Sequence, residues 1–145
     1  MKTVGISLAD NGITACLYDG EDTALIPLES GSIFSPGYAY LGDRGLLLGE
    51  EAIRYFRLSP TRITDRFWDL LSLEPSALRA RKKTISHAHL AYLHLKMVWE
   101  RIQSVQEEAI ESVGLALPGH FLSTDPEEEE RLGILLGIVA DLGIP

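Results

Sequence analysis

Apolar and polar residues alternate strictly between Lys2 and Tyr18. Val4, Ile6 and Leu8 are interleaved with Gly5 and Ser7, and Ile13, Ala15 and Leu17 with Thr14, Cys16 and Tyr18. A period of two predicts strands with one face on a core. Between the two runs lies Ala9-Asp10-Asn11-Gly12. Asn-Gly is a strong hairpin signal because both residues tolerate positive φ. The pattern therefore predicts antiparallel strands near Lys2–Leu8 and Gly12–Tyr18, joined at Asn11-Gly12. Two strands alone bury too little to be stable, so the rest of the chain must supply partners.

The chain continues with short apolar runs. Thr23 to Leu28 predicts a third strand ending near Pro27. Ile33 to Pro36 leads into a short strand at Tyr38–Leu41, and Leu46–Leu48 into another. Gly49 opens a predicted helix from Glu50 to Arg57, with two carboxylates at its positive end and Pro60 beyond it. Phe67, Trp68, Leu70, Leu71 and Leu73 suggest a short amphipathic turn or helix. Ile85 to Glu107 is the longest predicted helix. Its stripe of Ala88, Ala91, Leu95, Val98, Ile102 and Val105 recurs at spacings of three and four. Ser112 to Leu117 reads as a buried strand sharing the sheet of Lys2–Leu8. Asp125, Pro126 and Glu128 carry cap, first-turn and capping-box chemistry for a last helix, Pro126–Ala140, with Leu132, Leu135, Leu136 and Val139 as its buried stripe. The expected fold is a single α/β domain over residues 1–145, a mixed β-sheet with flanking helices.

Charge narrows the function classes. The 145 residues carry 13 Lys+Arg against 21 Asp+Glu, a formal charge of −8. Such a balance argues against nucleic acid and against an anionic membrane surface. No apolar run reaches the roughly 18 residues of a membrane span, and the N-terminus lacks a signal peptide's apolar block. The setting these features imply is cytoplasmic. The single cysteine, Cys16, excludes an internal disulfide and is expected to be a small buried residue.

Two clusters invite a chemical reading. Arg79, Arg81, Lys82 and Lys83 form a local basic group, read as a solvated loop or, more sharply, as a contact for phosphate or an acidic partner. His87, His89 and His94 lie on the long helix. His87 and His94 share a face and His89 does not, so three ligands do not converge on one metal, and an exposed helix face is expected for them.

Several segments, taken in order, resemble one family. VGISLADNGI (Val4 to Ile13) is similar to the first phosphate loop of heat-shock-70-like chaperones, a strand reading Gly-Ile-Asp-Leu-Gly-Thr-Thr. The run Ile33 to Tyr40 resembles that family's TPSYVAF, Leu48 to Ala52 its GDAA step, and Ser59 to Thr61 its NPT exit. VGLALPGHF (Val113 to Phe121) is similar to AVVTVPAYF, and the last helix ends like the family's AGTIAGLNV helix. The resemblance implies the N-terminal lobe of a nucleotide-binding domain, of the ribonuclease-H-like, actin-like ATPase fold. It places cofactor binding at Ala9, Asp10, Asn11 and Gly12, names no catalytic residue and assigns no metal ligand. ATP and magnesium are then expected in the intact protein and not for this chain alone.

The departures from the family pattern bear on activity. Its magnesium-organising Asp corresponds to Ser7, its loop Gly to Ala9, and its two Thr to Asp10 and Asn11. The position nearest its catalytic Lys is Trp68, with Arg66 close by. The segment before the long helix is shorter than the family's second subdomain. The second phosphate loop and the adenosine pocket belong to a second lobe, so the chain is expected to be a piece of a longer protein rather than a natural single-lobe one. The partners implied are that second lobe and client or partner proteins. The alternative is a degenerate, non-hydrolysing scaffold or protein-interaction module. A nuclease of the related fold would need several carboxylates around the first strand, and Ser7 removes the leading one.

Overall fold

The computed structural model describes residues 2–43, 45–74, 79–80, 83–118 and 125–145. Strands β1 (Thr3–Ala9) and β2 (Gly12–Tyr18) form the expected antiparallel hairpin. Ala9 pairs with Gly12, so the two turn residues are Asp10 and Asn11, and Gly12 already belongs to β2. The expected turn at Asn11-Gly12 is thus displaced by one residue. The reason lies across the sheet. Gly12 has a positive φ of 152°, and a Cβ there would run into the Ser35 carbonyl and the Phe34 ring. Glycine is needed at this position for close approach of a neighbouring strand, not for the turn itself.

That neighbour is β4 (Phe34–Pro36), which pairs with Gly12–Thr14, while β3 (Thr23–Leu25) pairs with Cys16–Tyr18 further along β2. On the other side β10 (Ser112–Ala116) runs parallel to β1, with Gly5 opposite Gly114 and Ser7 opposite Ala116. The central sheet is therefore ordered β10-β1-β2-β3, with β4 also on β2. A second sheet is built from β5 (Ala39–Gly42), β6 (Gly45–Leu48) and β7 (Ile63–Thr64). Two short strands, β8 (Arg79–Ala80) and β9 (Lys83–Thr84), make a separate antiparallel pair.

The helix after Gly49 is shorter than expected: α1 spans Glu50–Ile53, and turns follow to Leu58. A 3-10 turn at Pro60–Arg62 then enters β7. The long helix α2 covers His87–Ser104, capped by the Ser86 hydroxyl, which accepts from the His89 amide at 3.1 Å. The last helix α3 covers Pro126–Asp141, with the Asp125 carboxylate accepting from the Glu127 amide at 2.9 Å. Among the described residues no helix is long and apolar enough to cross a membrane.

One apolar core joins these pieces. It takes Val4, Ile6, Leu8, Ile13 and Ala15 from the central sheet, Ala39 and Leu41 from the second sheet, and Phe67, Trp68 and Leu71 from the turn before α2. Two helical stripes complete it. That of α2 adds Leu90, His94 and Trp99 to the expected set and drops Val105, which is exposed. That of α3 is Ile134, Leu135 and Ile138. Leu136, expected in the stripe, is 55% exposed, because residue 136 lies roughly 200° around the helix from 134 at 3.6 residues per turn. The strand β10 is not buried on both faces as expected. It alternates exposed and half-buried residues, because it lies on the edge of the sheet and only one of its faces meets the core.

Candidate functional site

Alternation along the central strands divides the sheet chemically. Val4, Ile6 and Leu8 turn into the core, so Gly5 and Ser7 turn the other way. Register places Thr14 and Cys16 of β2, and Gly114 and Ala116 of β10, on the same outer face. These small side chains and Leu25 line a shallow open concavity of about 410 Å³. Ser7, which the sequence resemblance sets at a magnesium-organising position, lies in it, exposed to solvent. Cys16 is half-buried on this face rather than in the core, because its strand position is out of phase with Ile13 and Ala15.

The four residues Ala9, Asp10, Asn11 and Gly12 lie together at the end of the β1–β2 hairpin, with Asp10 and Asn11 exposed. The hairpin is held from the side. Pro36 pairs with Gly12, and the Gly37 amide donates to the Asn11 carbonyl at 2.9 Å. Gly37 makes that contact with no side chain in the way: a Cβ there would already touch the Asp10 carbonyl and the Asn11 backbone.

Arg66 and Trp68, which the sequence resemblance sets near a catalytic lysine position, offer no free cation. The Arg66 guanidinium pairs with Asp69 at 2.7 Å on the surface, and that carboxylate strengthens its hold on its proton. Trp68 is buried. Of the basic cluster, Arg79 and Lys83 lie in the β8–β9 pair, while Arg81 and Lys82 lie outside the described residues.

The histidines separate into two environments. His89 is exposed and stacks on Tyr92, and His87 is half-buried. His94, expected on an exposed face, is completely buried and hydrogen-bonded on both ring nitrogens. The correction follows from helical spacing, since residue 94 falls between Ala91 and Val98 on the buried stripe. The Trp68 indole N–H donates to His94 Nδ1 at 2.9 Å, and His94 Nε2 lies 2.9 Å from Ser35 Oγ. Ser35 Oγ in turn donates to Glu29 Oε1 at 2.8 Å, and the Glu50 amide donates to the same oxygen at 3.4 Å. Burial pushes the His94 imidazole down to about 3, so the ring is neutral. Burial raises the Glu29 carboxyl, while Ser35 and the Glu50 amide pull it back.

The direction of every proton in this chain is determined. An indole N–H can only donate, so Nδ1 accepts. A neutral imidazole then carries its hydrogen on Nε2, which donates to Ser35. Ser, His and Glu are the residue types of an acyl-transfer triad, but here they are wired in reverse. A nucleophilic serine must give its proton to Nε2, and the carboxylate must orient the histidine. In this chain Nε2 gives a proton to serine and the carboxylate binds the serine itself. Neither ring nitrogen keeps a lone pair for a metal, and among the described residues no cluster of three or more His, Cys, Asp or Glu could hold one. Sequence reasoning missed this group. Its one visible signal was a histidine at a stripe position, since Glu29 and Trp68 come from a loop and a turn and Ser35 from a three-residue strand, and no local pattern encodes their meeting.

No protein-family model and no curated protein matches the chain.

Proposed function

We propose that this chain is the N-terminal lobe of a nucleotide-binding domain like that of heat-shock-70-like chaperones, an actin-like ATPase lobe with a degenerate phosphate loop at Ala9–Gly12. ATP and magnesium then bind in a cytoplasmic protein only when a second lobe closes over this one. The observation that carries the reading is the Asp10–Asn11 turn, which ends two central strands beside the open small-residue face of Gly5, Ser7, Thr14, Gly114 and Ala116. Close approach of a ligand needs small residues and accessible backbone, and this edge of the sheet has both.

The loop is electrostatically poor for phosphate. Asp10 sets a carboxylate where phosphate oxygens would lie, and like charges at 4 Å repel by roughly 1 kcal/mol in water and several-fold more in a cleft. A cation bridging Asp10 and phosphate is the available remedy. A second reading, a non-hydrolysing scaffold or protein-interaction module, is favoured by one observation. Arg66 is engaged by Asp69 and Trp68 is buried, so neither supplies the charge stabilisation that phosphoryl transfer requires.

Calorimetric titration of ATP, with and without magnesium, tests both. This chain alone is expected to bind no tighter than millimolar and to hydrolyse nothing. A Ser7→Asp, Ala9→Gly, Asp10→Thr variant of a longer, two-lobed protein is expected to bind at micromolar ATP. Micromolar binding by the unmodified chain, or none by the longer variant, overturns the loop assignment.

A further inference from the structure

The buried hydrogen-bond chain and the hairpin turn are connected through one short strand. Ser35 sits in the middle of β4, with its hydroxyl between His94 and Glu29. Its backbone pairs with Ile13, the next residue pairs with Gly12, and Gly37 holds the Asn11 carbonyl. The other members come from elsewhere: His94 from α2, Trp68 from the turn packed on it, and Glu29 from the loop after β3, its carboxylate against Gly49 at the start of α1. A segment of three residues pairing along an edge is weakly held by its backbone alone. Its side-chain anchor is buried, fully partnered and of fixed proton direction, which makes it specific as well as strong.

We infer that the Trp68–His94–Ser35–Glu29 chain is a positioning device for the Ala9–Gly12 turn: it clamps Ser35–Gly37, and Ser35–Gly37 holds the turn. His94 and Ser35 are thus positioning residues of the candidate loop, acting from the protein interior. The inference rests on the reading of that turn as a phosphate loop only for what the turn is used for; the mechanical linkage stands without nucleotide.

The experiment is amide hydrogen exchange by NMR on the whole chain, without nucleotide, comparing Ser35→Ala and Trp68→Phe with the unmodified protein. The readout is the exchange rate of the Gly37 amide relative to the Ile6 amide of the central strand. Release of the clamp is expected to raise that ratio at least tenfold in both variants. A merely destabilised protein accelerates both amides together, so an unchanged ratio overturns the proposal. If the variants fail to fold, the unmodified chain decides. Nitrogen-15 spectra are expected to show His94 protonated at Nε2 and bare at Nδ1, with the Trp68 indole proton slow to exchange. A proton on Nδ1, or a rapidly exchanging indole, overturns it. Failure of the loop assignment in the titration above would leave these ratios untouched, so the two readings fail separately.

Discussion

His94 is the residue at which burial and titration are most tightly linked. It is held neutral in the fold, pushed down to about 3, whereas the unfolded chain takes up a proton near the ordinary 6.5. Its contribution to stability is therefore complete above about pH 6.5. It is lost progressively as pH falls from there toward 3, at up to about 1.4 kcal/mol per pH unit. The half-buried His87, also lowered by burial, adds in the same direction. Glu29 works the other way: its raised carboxyl takes up a proton in the fold before the unfolded chain does, so falling pH favours the fold there. Between pH 6.5 and 5 two histidines lowered by burial oppose one raised carboxyl. Urea unfolding at pH 7.5 and 5.0 is expected to show lower stability at the acid value. A Trp68→Phe, His94→Leu double variant is expected to flatten most of the difference; an undiminished difference would place the titrating group elsewhere.

At the scale of elements, glycine shows how one residue type takes opposite values. Gly12 faces β4 with positive φ, and Gly12→Ala is expected to destabilise by about 1–3 kcal/mol. Gly133 and Gly137 lie within α3 with nothing near a prospective Cβ, and each change to Ala is expected to stabilise by about 0.5–1 kcal/mol. Thermal melts of the three variants check both signs. The elements themselves were legible where a single period runs long enough. The β1–β2 hairpin, the α2 stripe and the Asp125 cap were all readable, since each depends on local chemistry. Partnership was less so. Leu136 and Val105 fit the helical count but turn to solvent, because only the neighbouring helix and sheet decide which edge of a stripe is covered. His94 looked polar and hence exposed; its burial depends on Trp68 and Ser35, residues 26 and 59 positions away. The candidate turn was readable to within one residue, and its clamp through Gly37 was not, because it is a contact between loops.

Among the described residues a single apolar core links the elements, and that determines how the molecule unfolds. The core links the central sheet, the smaller sheet through Ala39 and Leu41, the turn at Phe67 and Trp68, and both long helices. The two tryptophans report from different parts of it: Trp68 from the turn and Trp99 from α2, each buried. If the smaller sheet and the turn were a separate folding unit, Trp68 would respond before Trp99. Because Trp68 donates to a histidine on the same helix as Trp99, the two are expected to report one transition. Single-tryptophan variants, Trp68→Phe and Trp99→Phe, each followed by fluorescence and far-ultraviolet circular dichroism in urea, are expected to give coincident curves within each protein. Core truncation should then act globally. Leu90→Ala, at a fully buried site, is expected to cost about 2–5 kcal/mol by both probes, whereas Leu58→Ala, 77% exposed, should stay within about 0.5 kcal/mol. Fluorescence from Trp68 that falls at lower urea than the circular dichroism would show the smaller sheet unfolding first. The clamp on the Ala9–Gly12 turn would then open with that sheet, since Trp68 is its first donor.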